Sequence, residues 1–453
     1  MTVINRERLA ALVKRERESY ALNFPRSKAA FENAGGHLLG GVPMTWMRMW
    51  PGGFPVYQAG ARGARLSDVD GHELIDFCLG DTGAMAGHSP APVAEAVARR
   101  YAKLGGATTM LPTEDAAWVA AELARRFGVS HWSFTLTATD ANRWAIRVAR
   151  QLTRRPKILV FSYCYHGSVD ESFIVIGSDG KPVSREGNVG APVDPTVTTR
   201  VVEFNDPAAL ERELAHGDVA AVLMEPALTN IGIVLPLDGY LARVRELTRE
   251  AGTLLINDET HTFSAGPGGC TKAWGLDPDI VTIGKSIGGG VPCGAYGLSA
   301  GLAQRILDDE RADIEDTGGV GGTLAGNALS VAAMRACLGS VLTDAAFARM
   351  TDVATHYTES VRRVLAAKSV PWSISQLGAR AEYRFTPEPP VTGGESAAAA
   401  DVELDDYMHL YTVNRGILMT PFHNMALMSP VTTKADVDAH TAVFTEAVSE
   451  LLG

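Results

Sequence analysis

The chain has 453 residues, of which 46% are hydrophobic and 21% are charged, and this predicts one large globular domain with one or two smaller lobes. Its net charge of −11 argues against nucleic acid or an anionic membrane as the main partner. Its five cysteines have no CxxC spacing, so we expect reduced thiols, a cytoplasmic location and no metal site.

The N-terminal part of the chain predicts a helix, a loop and a hairpin. Residues 1–20 form a charged amphipathic pattern that is not typical of a signal peptide. The next segment, GGHLLGGVPMTWMRMWPGGFPV, is rich in Gly, Pro, Trp and Met, which suits either a loop with packing aromatic residues or a substrate entrance. The segment ARLSDVDGHELIDF predicts a hairpin that turns at Asp70 and Gly71.

From about residue 90, apolar strands alternate with amphipathic helices, which predicts an α/β fold with a mostly parallel sheet covered on both faces. Beyond about residue 340, the pattern predicts a smaller α+β lobe, with PEPPVTGGESAAAA as a mobile loop. We therefore expect an N-terminal segment at 1–75, a large domain at 76–338 and a C-terminal small domain at 339–453. The predicted strands of the large domain are HWSFTLT, KILVFS, VAAVLMEP, TLLINDE, DIVTIGK and GAYGLS.

Polar residues stand where these strands stop, and ligands of such sheets bind beyond the carboxyl ends of the strands. Asp258 ends one strand and Lys285 follows the next. A surface turn and a surface lysine would explain each residue alone. Together, a carboxylate for a pyridinium nitrogen and an amine for covalent attachment favour pyridoxal 5'-phosphate as cofactor. The other strand ends carry Thr137-Ala138-Thr139, Tyr165-His166-Gly167 and Glu225-Pro226.

Two of these strand ends could contact the phosphate and the ring of such a cofactor. Thr137 to Thr139 precede a helix, whose N-terminal N–H groups bind a phosphate well, although Asp140 also fits simple helix capping. Tyr165 follows a strand and suits either stacking on the cofactor ring or packing in the core.

The motifs resemble those of class III (ω-type) aminotransferases of pyridoxal phosphate fold type I, in particular the branch with glutamate-1-semialdehyde aminomutases and β-amino-acid aminotransferases. The resemblance implies a seven-stranded, mostly parallel sheet between helices and a small α+β lobe built from both termini. Residues 1–75 would cover the active site. The motifs in chain order are TATDAN (137–142), YHG (165–167), EP with Asn230 and Gly232, DE (258–259), GK (284–285), the glycine run 288–297 and GTLAGN (322–327).

The resemblance implies a role for each motif. Lys285 would hold the cofactor covalently and move the substrate proton, while Asp258 would pair with the ring nitrogen. Tyr165 and Thr260 would touch the two ring faces. Thr323 would reach the phosphate of a neighbouring subunit, because the family shares its active sites across a homodimer. The implied cofactor-binding set is Thr137, Ala138, Thr139, Tyr165, His166, Glu225, Asn230, Asp258, Thr260, Lys285 and Thr323, where Asn230 would face the ring phenolic oxygen and Glu225 would support the Asp258 network.

The chain departs from the family at four positions, one of which is Asp140 in place of the usual Glu. Ala138 stands where the family usually has Gly, and Thr260 and His261 replace an aliphatic residue and a Met or Gln. His261 is either a partner of Asp258 or a group of the substrate pocket. The substrate candidates are Arg48, Trp46, His261 and Met425, and we expect Arg415 to be structural.

The predicted function is transfer of an amino group from an amine or an ω- or β-amino acid to a pyruvate-like 2-oxo acid, by a ping-pong mechanism. The alternative is an aminomutase of the glutamate-1-semialdehyde type, because both activities use the same cofactor residues. The Trp- and Met-rich segment favours the transaminase. A scaffold without activity is disfavoured by the presence of Lys285 and Asp258.

Overall fold

The computed structural model describes residues 4–308 and 322–453, which form two compact units. The terminal unit consists of Met1–Ser89, Ala348–Pro389 and Ala399–Gly453. The central unit consists of Pro90–Phe347 and Pro390–Ala398.

The helices of the described chain are α1 (Arg6–Asn23), α2 (Pro25–Ala34), α3 (Ala91–Ala98), α4 (Glu114–Phe127), α5 (Ala138–Thr153), α6 (Pro207–Leu214), α7 (Tyr240–Glu250), α8 (Gly269–Ala273), α9 (Ala300–Asp308), α10 (Ala328–Ala336), α11 (Asp344–Ala367), α12 (Gly393–Ala398), α13 (Val402–Val413) and α14 (Lys434–Leu452). The strands are β1 (Gln58–Arg62), β2 (Arg65–Asp68), β3 (Glu73–Asp76), β4 (His131–Thr135), β5 (Lys157–Phe161), β6 (Ile174–Ile176), β7 (Pro182–Ser184), β8 (Thr199–Val202), β9 (Val219–Met224), β10 (Leu254–Asp258), β11 (Ile280–Gly284), β12 (Gly294–Leu298), β13 (Ser373–Leu377), β14 (Arg380–Arg384), β15 (Ile417–Leu418) and β16 (Met425–Leu427).

The central unit is built on a seven-stranded sheet with the order β4-β12-β11-β10-β9-β5-β8. Only β12 runs antiparallel to its two neighbours in this sheet, so the predicted mostly parallel sheet is confirmed. Every residue of β9, β10, β11 and β12 is buried, as expected for strands that helices cover on both faces. Strand β8 was not among the predicted strands.

Helix α5 fixes the geometry at one end of this sheet. Its apolar face, which includes Trp144, Ile146 and Val148, is part of the core. The helix packs on β9, β11 and β12. Thr137 caps it, since its side-chain oxygen accepts a hydrogen bond from the Asp140 amide at 3.1 Å. The first turn of α5 therefore has a fixed position over the sheet.

The terminal unit contains two smaller sheets, with the orders β1-β2-β3-β15 and β13-β14-β16. Strands β2 and β3 form the predicted hairpin, and Asp68 Oδ1 accepts hydrogen bonds from the amides of Gly71 and His72 at 2.7 and 2.8 Å. Strand β15 pairs in parallel with β3 and so joins the two ends of the chain in one sheet.

The segment predicted as a mobile loop contains helix α12 instead, so that prediction was wrong. The amide of Gly394 donates a hydrogen bond to Glu203 at 3.1 Å, and the Ser396 hydroxyl donates to the Ile231 carbonyl at 2.5 Å. A β-carbon added to Gly393 would lie 2.1 Å from the Ser162 carbonyl oxygen. The glycines that suggested flexibility therefore permit a close backbone approach.

No single helix of the described chain has the length and apolar character to cross a membrane, although Ala328–Val341 and Asp344–Ala367, bent by 68°, meet that test as a pair.

Candidate active site

Asp258 and Lys285 lie at the carboxyl ends of adjacent strands. Strands β10 and β11 are parallel, and Asp258 pairs in register with Thr282. Lys285 follows the last residue of β11 and begins a 3₁₀ turn that extends to Gly288. Its φ of 52° lies in the left-handed region, which a lysine rarely adopts, so the surrounding structure holds this backbone in a strained conformation.

The Asp258 carboxylate is buried and receives several hydrogen bonds. Oδ2 accepts from Asn142 Nδ2 at 2.7 Å and lies 2.9 Å from His166 Nδ1. Oδ1 accepts from the Thr260 hydroxyl at 2.6 Å and from the Thr260 amide at 3.0 Å. Burial by itself would raise the pKa of Asp258, but the His166, Thr260 and Asn142 contacts outweigh it and lower the pKa below its ordinary value. The site therefore stabilises a buried negative charge.

His166 is the basic partner of this carboxylate and is itself buried. Burial disfavours the imidazolium, but the Cys164 sulfur and the Asp258 carboxylate oppose it and raise the pKa of His166 well above 6.5. A charged His166 beside a charged Asp258 gives a hydrogen-bonded ion pair inside the protein.

The residues of the TATDAN motif lie against the other two strand-end motifs. A β-carbon added to Gly284 would lie 2.8 Å from the amide nitrogen of Ala138 and 3.0 Å from its β-carbon. A β-carbon added to Gly167 would lie 2.0 Å from the Thr139 hydroxyl. The missing side chain of Gly284 therefore permits the backbone at the start of α5 to approach the end of β11 closely.

The two unusual residues of the DETHT segment both face the core of this site. Thr260 binds Asp258, as described above. His261 is buried, and its Nε2 lies 2.7 Å from the Lys285 amine. In the structure, His261 contacts Lys285. The sequence had suggested that His261 would be a partner of Asp258 or a group of the substrate pocket. Contact of Thr260 with a cofactor ring stays a prediction.

Glu259 anchors the loop that carries these residues. Its carboxylate accepts hydrogen bonds from the Thr262 hydroxyl at 2.5 Å and from the amides of Cys270 and Thr271 at 3.0 and 2.5 Å. Burial raises the pKa of Glu259 despite these donors. Glu259 holds the loop between β10 and α8 in place.

Glu225, Asn230 and Tyr165 occupy the remaining strand-end positions. Glu225 is buried and accepts a hydrogen bond from the Thr229 hydroxyl. The Asn230 side-chain oxygen accepts from Arg185 Nη1 and Nη2 at 3.2 and 2.8 Å in the amide orientation that satisfies both groups. Tyr165 is half-buried. Their contacts with a cofactor stay predictions.

The other substrate candidates belong to the terminal unit. Arg48 is exposed and lies over Gly40, where an added β-carbon would be 2.8 Å from its Nη1. The Trp46 ring lies 5.0 Å from the Phe422 ring. Met425 is fully buried within β16. Their roles in substrate binding stay predictions, as does that of Thr323, which is exposed.

Sequence reasoning missed Asn142. Its amide joins Asp258 to two other groups: Nδ2 also donates to the His166 carbonyl at 3.1 Å, and Oδ1 accepts from the Thr282 hydroxyl at 2.6 Å. The signal was present, because a residue four positions after Ala138 lies on the same face of α5. A polar residue on that buried face requires a partner.

Comparison with known proteins agrees with this geometry. The family model of class-III aminotransferases matches residues 50–448. A glutamate-1-semialdehyde 2,1-aminomutase from Sorangium cellulosum is 36% identical over 433 residues, which cover 94% of this chain and 96% of that protein.

Two solved structures extend the comparison. A glutamate-1-semialdehyde aminomutase from Pseudomonas aeruginosa PAO1 is 46% identical with a TM-score of 0.96, and 99% of each chain is covered. A further structure of such a protein from the same strain is in complex with PMP. An omega-transaminase from Sphaerobacter thermophilus is 30% identical with a TM-score of 0.85, covering 94% of this chain and 98% of that one.

Proposed function

Since the chain belongs to the class-III aminotransferase family, we propose that it is an aminomutase of the glutamate-1-semialdehyde type, which moves an amino group from one carbon to the next within a single substrate. The fold is that of pyridoxal phosphate transaminases of fold type I, and pyridoxal 5'-phosphate is the cofactor. The relatives with the higher identities carry the aminomutase name, which supports this choice over a transaminase.

The residues of the central unit fit this cofactor. Lys285 offers an amine and Asp258 a carboxylate that its neighbours keep ionised, at adjacent strand ends. The first turn of α5 offers backbone amides for a phosphate, and Thr139 adds a hydroxyl whose oxygen accepts a hydrogen bond from the Ser168 amide. The buried Ser286 hydroxyl, next to Lys285, has no hydrogen-bond partner among the described residues and is available to a ligand oxygen.

Each of these residues has a defined task in the proposed reaction. When bound, pyridoxal phosphate withdraws electrons from the carbon that carries the amino group. Asp258 stabilises the positive charge on the ring nitrogen, and the Asn142, His166 and Thr260 contacts keep Asp258 oriented for that task. Lys285 attaches the cofactor and then moves a proton at the reacting carbon. Residues Thr137 to Thr139 bind the phosphate.

The observation that carries the proposal is the position of Lys285 and Asp258 at the neighbouring carboxyl ends of β11 and β10. Either residue alone is compatible with a structural role. A buried carboxylate with a lowered pKa, next to a strand that a lysine follows, matches the two chemical requirements of this cofactor.

The test is an assay with glutamate 1-semialdehyde and no 2-oxo acid. An aminomutase converts this substrate to the isomer with the amino group on carbon 1, because the substrate itself supplies and receives the amino group. The product is followed by chromatography. A chain that forms this isomer only slowly, and forms alanine when pyruvate and an amine are added, is a transaminase instead.

The transaminase remains the second candidate, because one feature of this chain favours it. Trp46, Met47 and Met49 are exposed apolar side chains in the terminal unit, which suits an apolar amine. The same assay with 1-phenylethylamine and pyruvate separates the two candidates, since an aminomutase would produce little alanine.

We also propose that the enzyme is a homodimer with shared active sites, as the motif GTLAGN at 322–327 suggests. Thr323 is exposed in the single chain, which leaves it accessible to a second subunit. Sedimentation measures the assembly, and Thr323→Ala should weaken cofactor retention without dissociating the dimer. A monomer with full cofactor occupancy would contradict the proposal.

A further inference from the structure

His261 and Lys285 are joined by a hydrogen bond. The imidazole Nε2 lies 2.7 Å from the lysine amine, which is a hydrogen-bond distance. If both groups were protonated, both would be donors and no hydrogen bond would form at this contact. One nitrogen therefore donates and the other accepts.

The chemistry of the two groups suggests the direction of this hydrogen bond. An ammonium has three donor hydrogens and no acceptor, whereas a neutral imidazole has one nitrogen that accepts. With the amine of Lys285 as the donor, Nε2 of His261 is the acceptor. The ring hydrogen of His261 then resides on Nδ1.

Both partners of this contact have fixed positions. The His261 carbonyl accepts a hydrogen bond from the Ser264 amide at 3.2 Å, and the residues on either side of His261 are bound to Asp258 and Glu259. Lys285 begins its turn in a strained backbone conformation. Little side-chain freedom remains to be lost when the hydrogen bond forms, so the contact is preorganised.

The other ionisable groups around this segment have partners of their own. Asp258 binds His166, Asn142 and Thr260, and Glu259 binds the amides at the start of α8. The contact between His261 and Lys285 therefore adds to these networks and does not replace one of them.

We propose that His261 is a positioning residue for Lys285, which accepts a hydrogen bond from the amine and holds it at the strand exit whenever the amine is not covalently engaged. Members of the class-III aminotransferase family usually have Met or Gln at this position. A methionine cannot accept this hydrogen bond effectively, whereas a glutamine can. The inference rests on the proposed function only in assigning cofactor attachment to Lys285.

The first test measures Lys285 in the full chain without cofactor. Trace labelling with acetic anhydride between pH 6 and 11, followed by mass spectrometry, reports the fraction of each lysine that is an uncharged amine. In His261→Met, the midpoint of Lys285 labelling should fall by about one pH unit, because the ammonium loses its acceptor while the amine stays partly buried. Lys272, in α8 of the same unit, should label identically in every variant and serves as the internal control.

Two further variants separate a hydrogen bond from packing. His261→Gln retains an acceptor at the end of the side chain and should restore the wild-type midpoint to within about 0.3 pH units. His261→Asn has a shorter side chain and should behave like His261→Met, which keeps the test usable if the Met variant does not fold. Equal midpoints in wild type and His261→Met would overturn the proposal, as would equal shifts in His261→Met and His261→Gln.

The second test uses the holoenzyme. Mixing it with an amino donor in a stopped-flow spectrophotometer should show a limiting rate about tenfold lower in His261→Met, with an unchanged donor concentration at half saturation. His261→Gln should recover most of the rate. A changed half-saturation at normal rate would assign His261 to substrate binding and overturn the positioning role. The labelling test needs neither cofactor nor substrate, so failure of the proposed function would not affect its outcome.

Discussion

His166 Nδ1 lies 2.9 Å from Asp258 Oδ2, and both side chains are buried. Each group stabilises the charged form of the other. The pKa of Asp258 is lowered and that of His166 is raised, although burial opposes both shifts. The ion pair orients the carboxylate that we assign to the cofactor ring, and it also links the stability of the protein to pH.

The sign of this linkage gives the first prediction. The stabilisation from Asp258 is present above its unfolded pKa of about 4 and is lost as the pH falls through its lowered folded pKa. The stabilisation from His166 is complete below about pH 6.5 and is lost as the pH rises through its raised folded pKa. His166→Gln should therefore lower the free energy of unfolding most between about pH 4 and 6.5.

We expect this loss to be about 3 kcal/mol at pH 5.5, because one partner of a buried pair is removed. It should be clearly smaller at pH 9 or above. Urea unfolding at the two pH values measures it, and His131→Gln, an exposed histidine of the same unit, is the control. An equal loss at both pH values would show that the pair is not ionised.

Asn142→Ala should destabilise the protein by about 2–4 kcal/mol and weaken cofactor retention. The change leaves Asp258 Oδ2, the His166 carbonyl and the Thr282 hydroxyl each without one hydrogen bond in a buried position. Thr282→Val is the matched control, because it removes one contact of the same amide and should cost about 1 kcal/mol. Urea unfolding and cofactor absorbance after dialysis measure the two effects, and similar losses in both variants would contradict the central role of Asn142.

Gly284→Ala should lower cofactor affinity by about tenfold or more. The new β-carbon would press on the amide nitrogen of Ala138 and displace the start of α5, at a cost of about 1–3 kcal/mol. The double variant with Ala138→Gly should not recover affinity, since the obstacle is backbone. Gly301→Ala, where nothing lies within 4 Å, is the control. Fluorescence titration measures the affinity, and full recovery in the double variant would place the obstruction in the Ala138 side chain.

The position of Asp258 and Lys285 at neighbouring strand ends was predictable, because parallel strands present their carboxyl ends at one edge of a sheet. Apolar runs identified β10 and β11, and the residues that follow them are polar. The contact of His261 with Lys285 was not predictable in the same way, because it depends on the path of the loop after Asp258, which leaves no periodic pattern in the sequence. Helical spacing could indicate that Asn142 needs a buried partner, but its bond to Asp258 depends on the rotation of α5 over the sheet. Helix α12 was missed because glycine signals both flexibility and close packing.

Lys285 should carry the cofactor. Borohydride reduction of the holoenzyme followed by mass spectrometry should place the adduct on Lys285 and leave Lys272 unmodified. Lys285→Ala should remain folded by circular dichroism and lose activity by about a thousandfold or more, because both attachment and proton transfer are removed. An adduct on Lys272 or another lysine would contradict the assignment.

Arg48 should recognise the carboxylate of a substrate. It is an exposed cation in the 3₁₀ turn Thr45–Arg48, among the apolar side chains Trp46, Met47 and Met49. A guanidinium binds a carboxylate with two hydrogen bonds, and an uncharged aryl-alkyl amine has no group for this contact. Arg48→Ala should therefore lower kcat/KM for substrates with a carboxylate by about tenfold, or 1.4 kcal/mol, and leave 1-phenylethylamine nearly unaffected.

The matched control for Arg48 is Arg415→Gln, also in the terminal unit. The Arg415 guanidinium donates to Glu16 Oε2 at 3.0 Å and to the Tyr411 carbonyl at 2.9 Å, so its partners are already within the protein. Its loss should lower the urea midpoint and change the kinetics with all substrates alike, because its guanidinium is bound by Glu16 and Tyr411. Steady-state kinetics with charged and uncharged donors measure the difference between the variants. Equal, small effects of Arg48→Ala on both donor classes would show that Arg48 is a surface residue without a role in substrate binding.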